Sequence, residues 1–151
     1  MGIFDSMNTS ASGLTAQRLR MDVASSNIAN ANSTRAQLNE DGTWDPYRRK
    51  MVVFQQEGAS FKSFLHKASQ AQGGYGGGVK ATEIVEDENP FKSVYNPNHP
   101  DADESGYVQL PNVDPLQEMV DMMSATRSYE ANVTSLNASK SMLMKALEIG
   151  K

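Results

Sequence analysis

Apolar positions divide this chain into two patterned ends and an irregular middle. From Ile3 to Ile28 they recur at close to 100° per residue, with Ile3, Phe4, Met7, Ala11, Leu14, Met21 and Ile28 along one face. That is the spacing of an amphipathic helix. Met7, Leu14, Met21 and Ile28 stand seven apart, while Ala16, Leu19 and Val23 form a second line on another side. One partner surface cannot cover both lines. The pattern returns after residue 114: Met122, Tyr129, Leu136 and Leu143 recur every seven residues, Met119, Val133 and Leu147 extend the stripe, and Thr126 and Lys140 interrupt it. Here too there is a second line, Val120, Ala131, Ala138, Met142 and Ile149. A seam repeating every seven residues asks for another helix.

The stretch "VDPLQEM" marks where the second helix starts. Asp114 is placed to cap, Pro115 suits the first turn, and Gln117 completes a capping-box spacing. Glu118 and Asp121 then lie near the positive end of the helix dipole, Lys140 and Lys145 toward its negative end, and Gly150 marks the stop. At a rise of 1.5 Å per residue each helix is about 40–50 Å long, suited to pairing side by side. Between the helices, residues 47–56, 79–87 and 106–110 have the β-branched and aromatic content of short strands. The glycine-rich run at 70–78 reads as a mobile loop.

The predicted fold is therefore mainly α with a small β region. Long N- and C-terminal helices pair as a coiled coil, and the middle is short-stranded and loop-rich. Three segments follow: 1–35, a helix with an asparagine-rich turn; 36–113, the β and loop region; and 114–151, the second helix. The first and last make one helical domain.

Composition sharpens this picture. Of the 151 residues 38% are hydrophobic, which is little for a self-sufficient core, so partners are expected to supply part of the stability. The net charge of −4 argues against a nucleic-acid binder, and the one basic cluster, Tyr47 to Lys50, reads as a solvated patch. With no cysteine there is no disulfide, thiolate metal site or cysteine nucleophile. Neither a secretory signal pattern at the start nor a run long enough to cross a bilayer is expected, so no direct membrane insertion is predicted.

Candidate chemistry is sparse. His66 and His99 belong to no triad or zinc pattern, and the acidic run Glu83, Glu86, Asp87 and Glu88 reads as a solvated edge. No catalytic residue, cofactor or metal is predicted, and no enzyme. The stretch Asp101–Gly106 imitates the first half of a calcium loop, with Asp101, Asp103, Ser105 and Gly106 at ligand and turn positions. Its twelfth position is Asn112, which cannot give the bidentate carboxylate, so the calcium-binding module stands only as an alternative.

Asparagine recurs where the first helical pattern ends, in "SSNIANANSTR", and asparagine tolerates the left-handed conformation found at helix termini. Asn27, Ile28, Ala29, Asn30 and Thr34 closely resemble the N-terminal signature of flagellar rod and hook axial proteins, with Arg35 following the threonine. Tyr129, Glu130, Ala131 and Asn132, within "RSYEANV", resemble their C-terminal signature. Together with "PYRRKMVVF" and the connector from Val94 into the second helix, these motifs are similar to the proximal-rod proteins, over about residues 1–53 and 79–151.

The resemblance implies a structural subunit of the basal-body rod, the shaft carrying torque across the periplasm. It implies as partners other copies of the chain, proximal and distal rod proteins, and the adaptor at the rod base on the MS ring. It also implies export through the flagellar type III apparatus, without a cleaved signal peptide, to the periplasmic space. Another rod protein of the same family is the nearest alternative. The expected assembly surface is the set of helix seams: Ile3, Phe4, Met7, Leu14, Leu19, Met21, Val23 and Ile28 on the first helix, Met119, Met122, Tyr129, Val133, Leu136, Leu143 and Leu147 on the second.

Overall fold

The computed structural model describes residues 3–40, 42–57 and 77–149, with Ile3 by its backbone only. His66, Gly150 and most of the glycine-rich run at 70–78 lie outside the described residues. The described residues form two long helices and six short strands, in the order α1 (Ile3–Ala29), β1 (Gln37–Leu38), β2 (Trp44–Asp45), β3 (Lys50–Gln56), β4 (Val79–Glu86), β5 (Lys92–Tyr95), β6 (Tyr107–Leu110) and α2 (Pro115–Ile149). The strands pair as three separate two-stranded sheets, β1 with β2, β3 with β4 and β5 with β6.

Both helices have the bounds their letters call for. Asp114 Oδ1 accepts the Leu116 N–H at 3.0 Å, and the Asp114 carbonyl accepts Glu118 N at 3.0 Å, so the cap and the first helical bond share one residue. Helix α1 ends differently from the expectation. Among the described residues no residue other than glycine has positive φ, so the asparagines do not end the helix by turning left-handed. Instead Asn30 Nδ2 donates back to the Ser26 carbonyl at 2.9 Å, and the chain leaves through a tighter turn in which Ala31 N bonds the Ile28 carbonyl at 3.2 Å.

The contacts divide the chain into two compact units. The first comprises Met1–Leu19, Val53–Glu83 and Ser124–Lys151, the second Arg20–Val52 and Ile84–Met123. In the first unit the buried positions are small: Ser10, Ala16, Ala125 and Ser139. A Cβ on Gly13 would stand 3.1 Å from Asn132 Nδ2, so the two helices approach there as closely as a missing side chain permits. The pairing of β3 and β4 closes with Glu57 N donating to the Gly78 carbonyl at 2.6 Å. Ser12 on α1 accepts Val79 N at 3.0 Å. Any Cβ on Gly77 would fall 1.7 Å from the Glu57 carbonyl oxygen, and one on Gly78 2.2 Å from Ser12 Oγ. These two glycines of the run are thus required by close packing.

The second unit holds the hairpins. In β1–β2 Gln37 faces Asp45 and Leu38 faces Trp44. In β5–β6 the register runs from Lys92 opposite Leu110 to Tyr95 opposite Tyr107, whose rings meet edge to face at 5.3 Å. The strand expected at 106–110 is β6, and its partner β5 is the element the sequence did not indicate; Val108, Pro111 and Val113 are buried. Pro90 and Pro97 flank β5 instead of breaking it, as proline allows at a strand's ends. The strand expected from Tyr47 begins at Lys50, because Tyr47 N is already bonded to the Ser33 carbonyl at 3.0 Å.

Candidate assembly interface

The second unit is organised around a buried amide. Asn27 is 1% exposed and fills all four of its hydrogen-bonding capacities. Its Nδ2 donates to the Lys50 carbonyl at 2.8 Å and to Glu118 Oε2 at 2.9 Å; its Oδ1 accepts Lys50 N at 3.0 Å and the Tyr47 hydroxyl at 3.0 Å. One side chain thereby ties α1 to β3, to the segment before it and to the first turn of α2. Glu118, 2% exposed, turns its other oxygen to Arg49 Nε at 2.6 Å.

Arg49 is the second centre of this node. Its guanidinium also reaches Asp87 at 3.5 Å and Asp121 at 3.7 Å, and Arg20 Nη2 holds the other Asp121 oxygen at 2.7 Å. Burial works against the Arg49 charge, but the bonds to Glu118 and then Asp87 outweigh it and raise the guanidinium above its ordinary range. Asp87 is held below the usual carboxylate range, chiefly by the Asn89 backbone N–H, with Arg49 adding to it against the opposing effect of burial. The Tyr47–Lys50 cluster is therefore no solvated patch at Arg49, and the acidic run is no solvated edge at Asp87. Half-buried Arg49 and buried Asp87 are each paired with an opposite charge, which the separate stretches of sequence did not reveal. Glu83, Glu86 and Glu88 are exposed.

The calcium-like stretch has its carboxylates engaged by the chain itself. Asp101 accepts Arg35 Nε at 2.7 Å and Thr34 Oγ1 at 2.9 Å, and these bonds, Arg35 first, hold it below the usual carboxylate range. Asp103 Oδ1 accepts Ser105 N at 2.9 Å and Tyr107 N at 2.8 Å, and Gly106 follows at φ 80°. The pattern of acids at alternate positions belongs to a hairpin turn. Among the described residues no group of three or more histidine, cysteine, aspartate or glutamate residues is placed to hold a metal. Thr34 and Arg35 thus anchor the turn, and Arg35 occupies its site without positive φ.

The expected seam residues fall into two classes. Met7, Leu14, Met21 and Ile28 on α1 are half-buried, as are Met122, Tyr129, Leu136 and Leu143 on α2, with Leu19, Val23 and Val133 alongside. Phe4 (70%), Met119 (47%) and Leu147 (74%) are exposed. The second line of α2, Val120, Ala131, Ala138, Met142 and Ile149, is exposed throughout. Of the large hydrophobic side chains left open, α2 alone carries Leu116, Met119, Val120 and Met123 near its start and Met142, Met144, Leu147 and Ile149 near its end. Single exposed apolar residues are ordinary, but lines of them on one helix mark an interaction surface. Among the signature residues Asn27 is the buried hub, Ile28 stands beside it on α1, Asn30 lies in the turn just after α1, Ala29 is exposed and Thr34 grips Asp101. In the second signature Asn132 faces Gly13 and donates to the Ser128 carbonyl at 3.0 Å, Tyr129 is half-buried, and Glu130 and Ala131 are exposed.

Sequence reasoning missed the node formed by Tyr47, Arg49, Asp87 and Glu118, although "YRRK" and a glutamate in the first turn of α2 were its only available signals. Among the described residues no helix is long and apolar enough to cross a membrane.

Comparison with known proteins agrees with this architecture. Residues 7–37 match the family described as "Flagella basal body rod protein", and residues 104–149 match "Flagellar basal body rod FlgEFG protein C-terminal". The chain is 61% identical to the flagellar basal-body rod protein FlgC of Bacillus subtilis (strain 168), over 100% of both chains. It is 45% identical to FlgC of Borreliella burgdorferi, over 99% of this chain and 98% of that one. Against FlgC of Escherichia coli O157:H7 the identity is 44%, over 100% of both. Full-length similarity of this degree, carried by the same helical ends that hold the buried node and the open apolar lines, makes the chain a member of the FlgC family of flagellar basal-body rod proteins.

Proposed function

We propose that this structural subunit of the proximal rod polymerises helically through its terminal helices, forming part of the shaft that transmits torque across the periplasm. The observation that carries the reading is α2: one seven-residue line is half-buried within the chain, while a second line and both ends of the helix remain apolar and open. The half-buried lines on α1 and α2 support their pairing as a coiled-coil seam. The open lines fit neighbouring subunits in a contact that repeats helically without closing, where apolar interlocking resists twist. Other copies of this chain, other rod proteins and the rod-base adaptor are the partners proposed for them.

Export through the flagellar type III apparatus fits a chain with few buried apolar positions among the described residues. Helical ends that are frayed before assembly become ordered as their faces are covered, the entropy of ordering being offset by the buried interface. The test is complementation of a strain lacking its own proximal-rod subunit. This chain restores swimming, whereas Met142→Glu with Leu147→Glu leaves the soluble fold unchanged and abolishes rod assembly. Normal rods from the double variant would overturn the reading.

A further inference from the structure

The two cations that flank Arg49 are not absorbed by the node. Arg48 is half-buried, with its guanidinium carbon 4.4 Å from the centroid of the Phe91 ring, and Lys50 is exposed, with its ammonium 5.7 Å from the centroid of Tyr47. Arg49 meets three carboxylates; neither neighbour has one among the described residues. Both line a cavity of about 460 Å³ whose lining residues all belong to the second unit, buried Pro46 and Tyr47 among them. Arg35 also reaches this cavity, but its guanidinium is already held by Asp101. Glu86 is the acid on its wall, exposed and without a basic partner among the described residues.

We propose that this cavity takes an acidic peptide segment of another subunit, a glutamate or aspartate carboxylate meeting Arg48 and Lys50. The proposal rests on the rod-subunit reading for its donor and adds a charged contact to the apolar ones on α2. Stacking on Phe91 occupies the face of the Arg48 guanidinium and leaves the N–H donors in its plane open at the edge. A carboxylate matches that planar fork with two parallel bonds. The volume suits more than the carboxylate, because it lies in the range that encloses a ligand of several groups, and a lone acetate or phosphate would leave most of it open. Gln37 and Glu86, both on the lining, supply what a peptide backbone needs: an amide that donates and accepts, and an acceptor for an N–H. Glu86 also repels a densely charged phosphate, which a single carboxylate beside two cations is better placed to tolerate.

Titration of the purified, isotope-labelled chain with the blocked peptide acetyl-Gly-Glu-Gly-Glu-Gly-amide tests this, read by amide chemical shifts. The shifts gather at Ser33, Gln37, Arg48, Lys50 and Glu86, and binding weakens at least about threefold between about 50 mM and about 500 mM salt. Glutamine in place of both glutamates weakens it at least about tenfold. Arg48→Gln and Lys50→Gln each weaken it by about threefold, the weight of one exposed ion pair, and Glu86→Gln strengthens it by about twofold. A gain in affinity cannot be imitated by a variant that misfolds. Shifts of the same amides when the chain alone is concentrated support the site and make the donor a second copy. Shifts that gather elsewhere, a glutamine peptide that binds equally well, or a Glu86→Gln variant that binds no better overturn the proposal. Acetate alone binding as tightly as the peptide assigns the cavity to small anions and overturns the peptide segment. A chain that restores swimming but does not bind the peptide removes this site and leaves the rod reading intact; one that binds but restores no swimming removes the rod reading and leaves the site.

Discussion

Replacing Asn27 with alanine is the most direct test of the node that fixes the second unit. The substitution removes a small polar group but strands four partners: the Lys50 N–H and carbonyl, the Tyr47 hydroxyl and a Glu118 oxygen. Three of those bonds join neutral groups, worth about 1 kcal/mol each, and the bond to a carboxylate is worth about 1.5–3 kcal/mol. Glu118 is 2% exposed, so water has little access to take over. Partial relaxation lowers the total, leaving a loss of roughly 3–6 kcal/mol, a large part of what holds a domain of this size together. Urea unfolding followed by far-ultraviolet circular dichroism measures it, the midpoint falling while the slope stays constant. Two controls bracket the result. Asn30→Ala, which removes two local bonds, to the Ser26 carbonyl and from the Ser33 hydroxyl, costs about 1–2 kcal/mol. Asn27→Asp replaces the Nδ2 donor with a second carboxylate oxygen facing Glu118 and costs more than alanine does. A loss for Asn27→Ala no greater than that for Asn30→Ala refutes the hub.

Three further expectations concern single positions. Gly106→Ala forces a left-handed φ of 80° on an alanine whose Cβ meets Tyr95 Cε2 at 2.9 Å, so it costs more than Gly42→Ala, where φ is 77° but nothing lies within 4 Å. Equal thermal shifts for the two variants would remove the Tyr95 contact as the cause. Gly13→Ala gains helix propensity of about 1 kcal/mol but presses on Asn132, whereas Gly13→Leu pushes the helices apart in the first unit. Melting temperatures therefore leave alanine near wild type and leucine well below it, and a leucine variant as stable as wild type contradicts the close approach. Asp101→Asn destabilises at neutral pH and progressively less in acid. The folded carboxylate titrates below its ordinary 3.8, so its contribution is full above the unfolded value and vanishes as pH falls through the folded one. Unfolding curves across that range check it, and a deficit that does not change with pH rules out the Arg35 and Thr34 bonds as its origin.

Much of the chain's plan follows from local pattern alone. Seven-residue spacing of Met122, Tyr129, Leu136 and Leu143 is enough to line one side of a helix, because helix geometry acts over a few residues wherever the chain is placed. The Asp114–Pro115 start is equally local, since a cap bonds a backbone group two residues away. The signatures at Asn27–Asn30 and Tyr129–Asn132 are legible as letters, and with them the family.

Which apolar line is covered and which left open was decided by tertiary structure. Periodicity gives faces but not neighbours, and the two lines of α2 are indistinguishable until one of them is found half-buried and the other exposed. The same holds for charge. Asn27 meets Glu118 across 91 residues, Arg49 meets it across 69, and Arg35 meets Asp101 across 66. Long-range pairing turns a basic cluster, an acidic run and a calcium-like loop into parts of one folded unit. No short window of sequence contains both partners of such a bond, and desolvation, which makes the bond matter, exists only once the chain has closed around it.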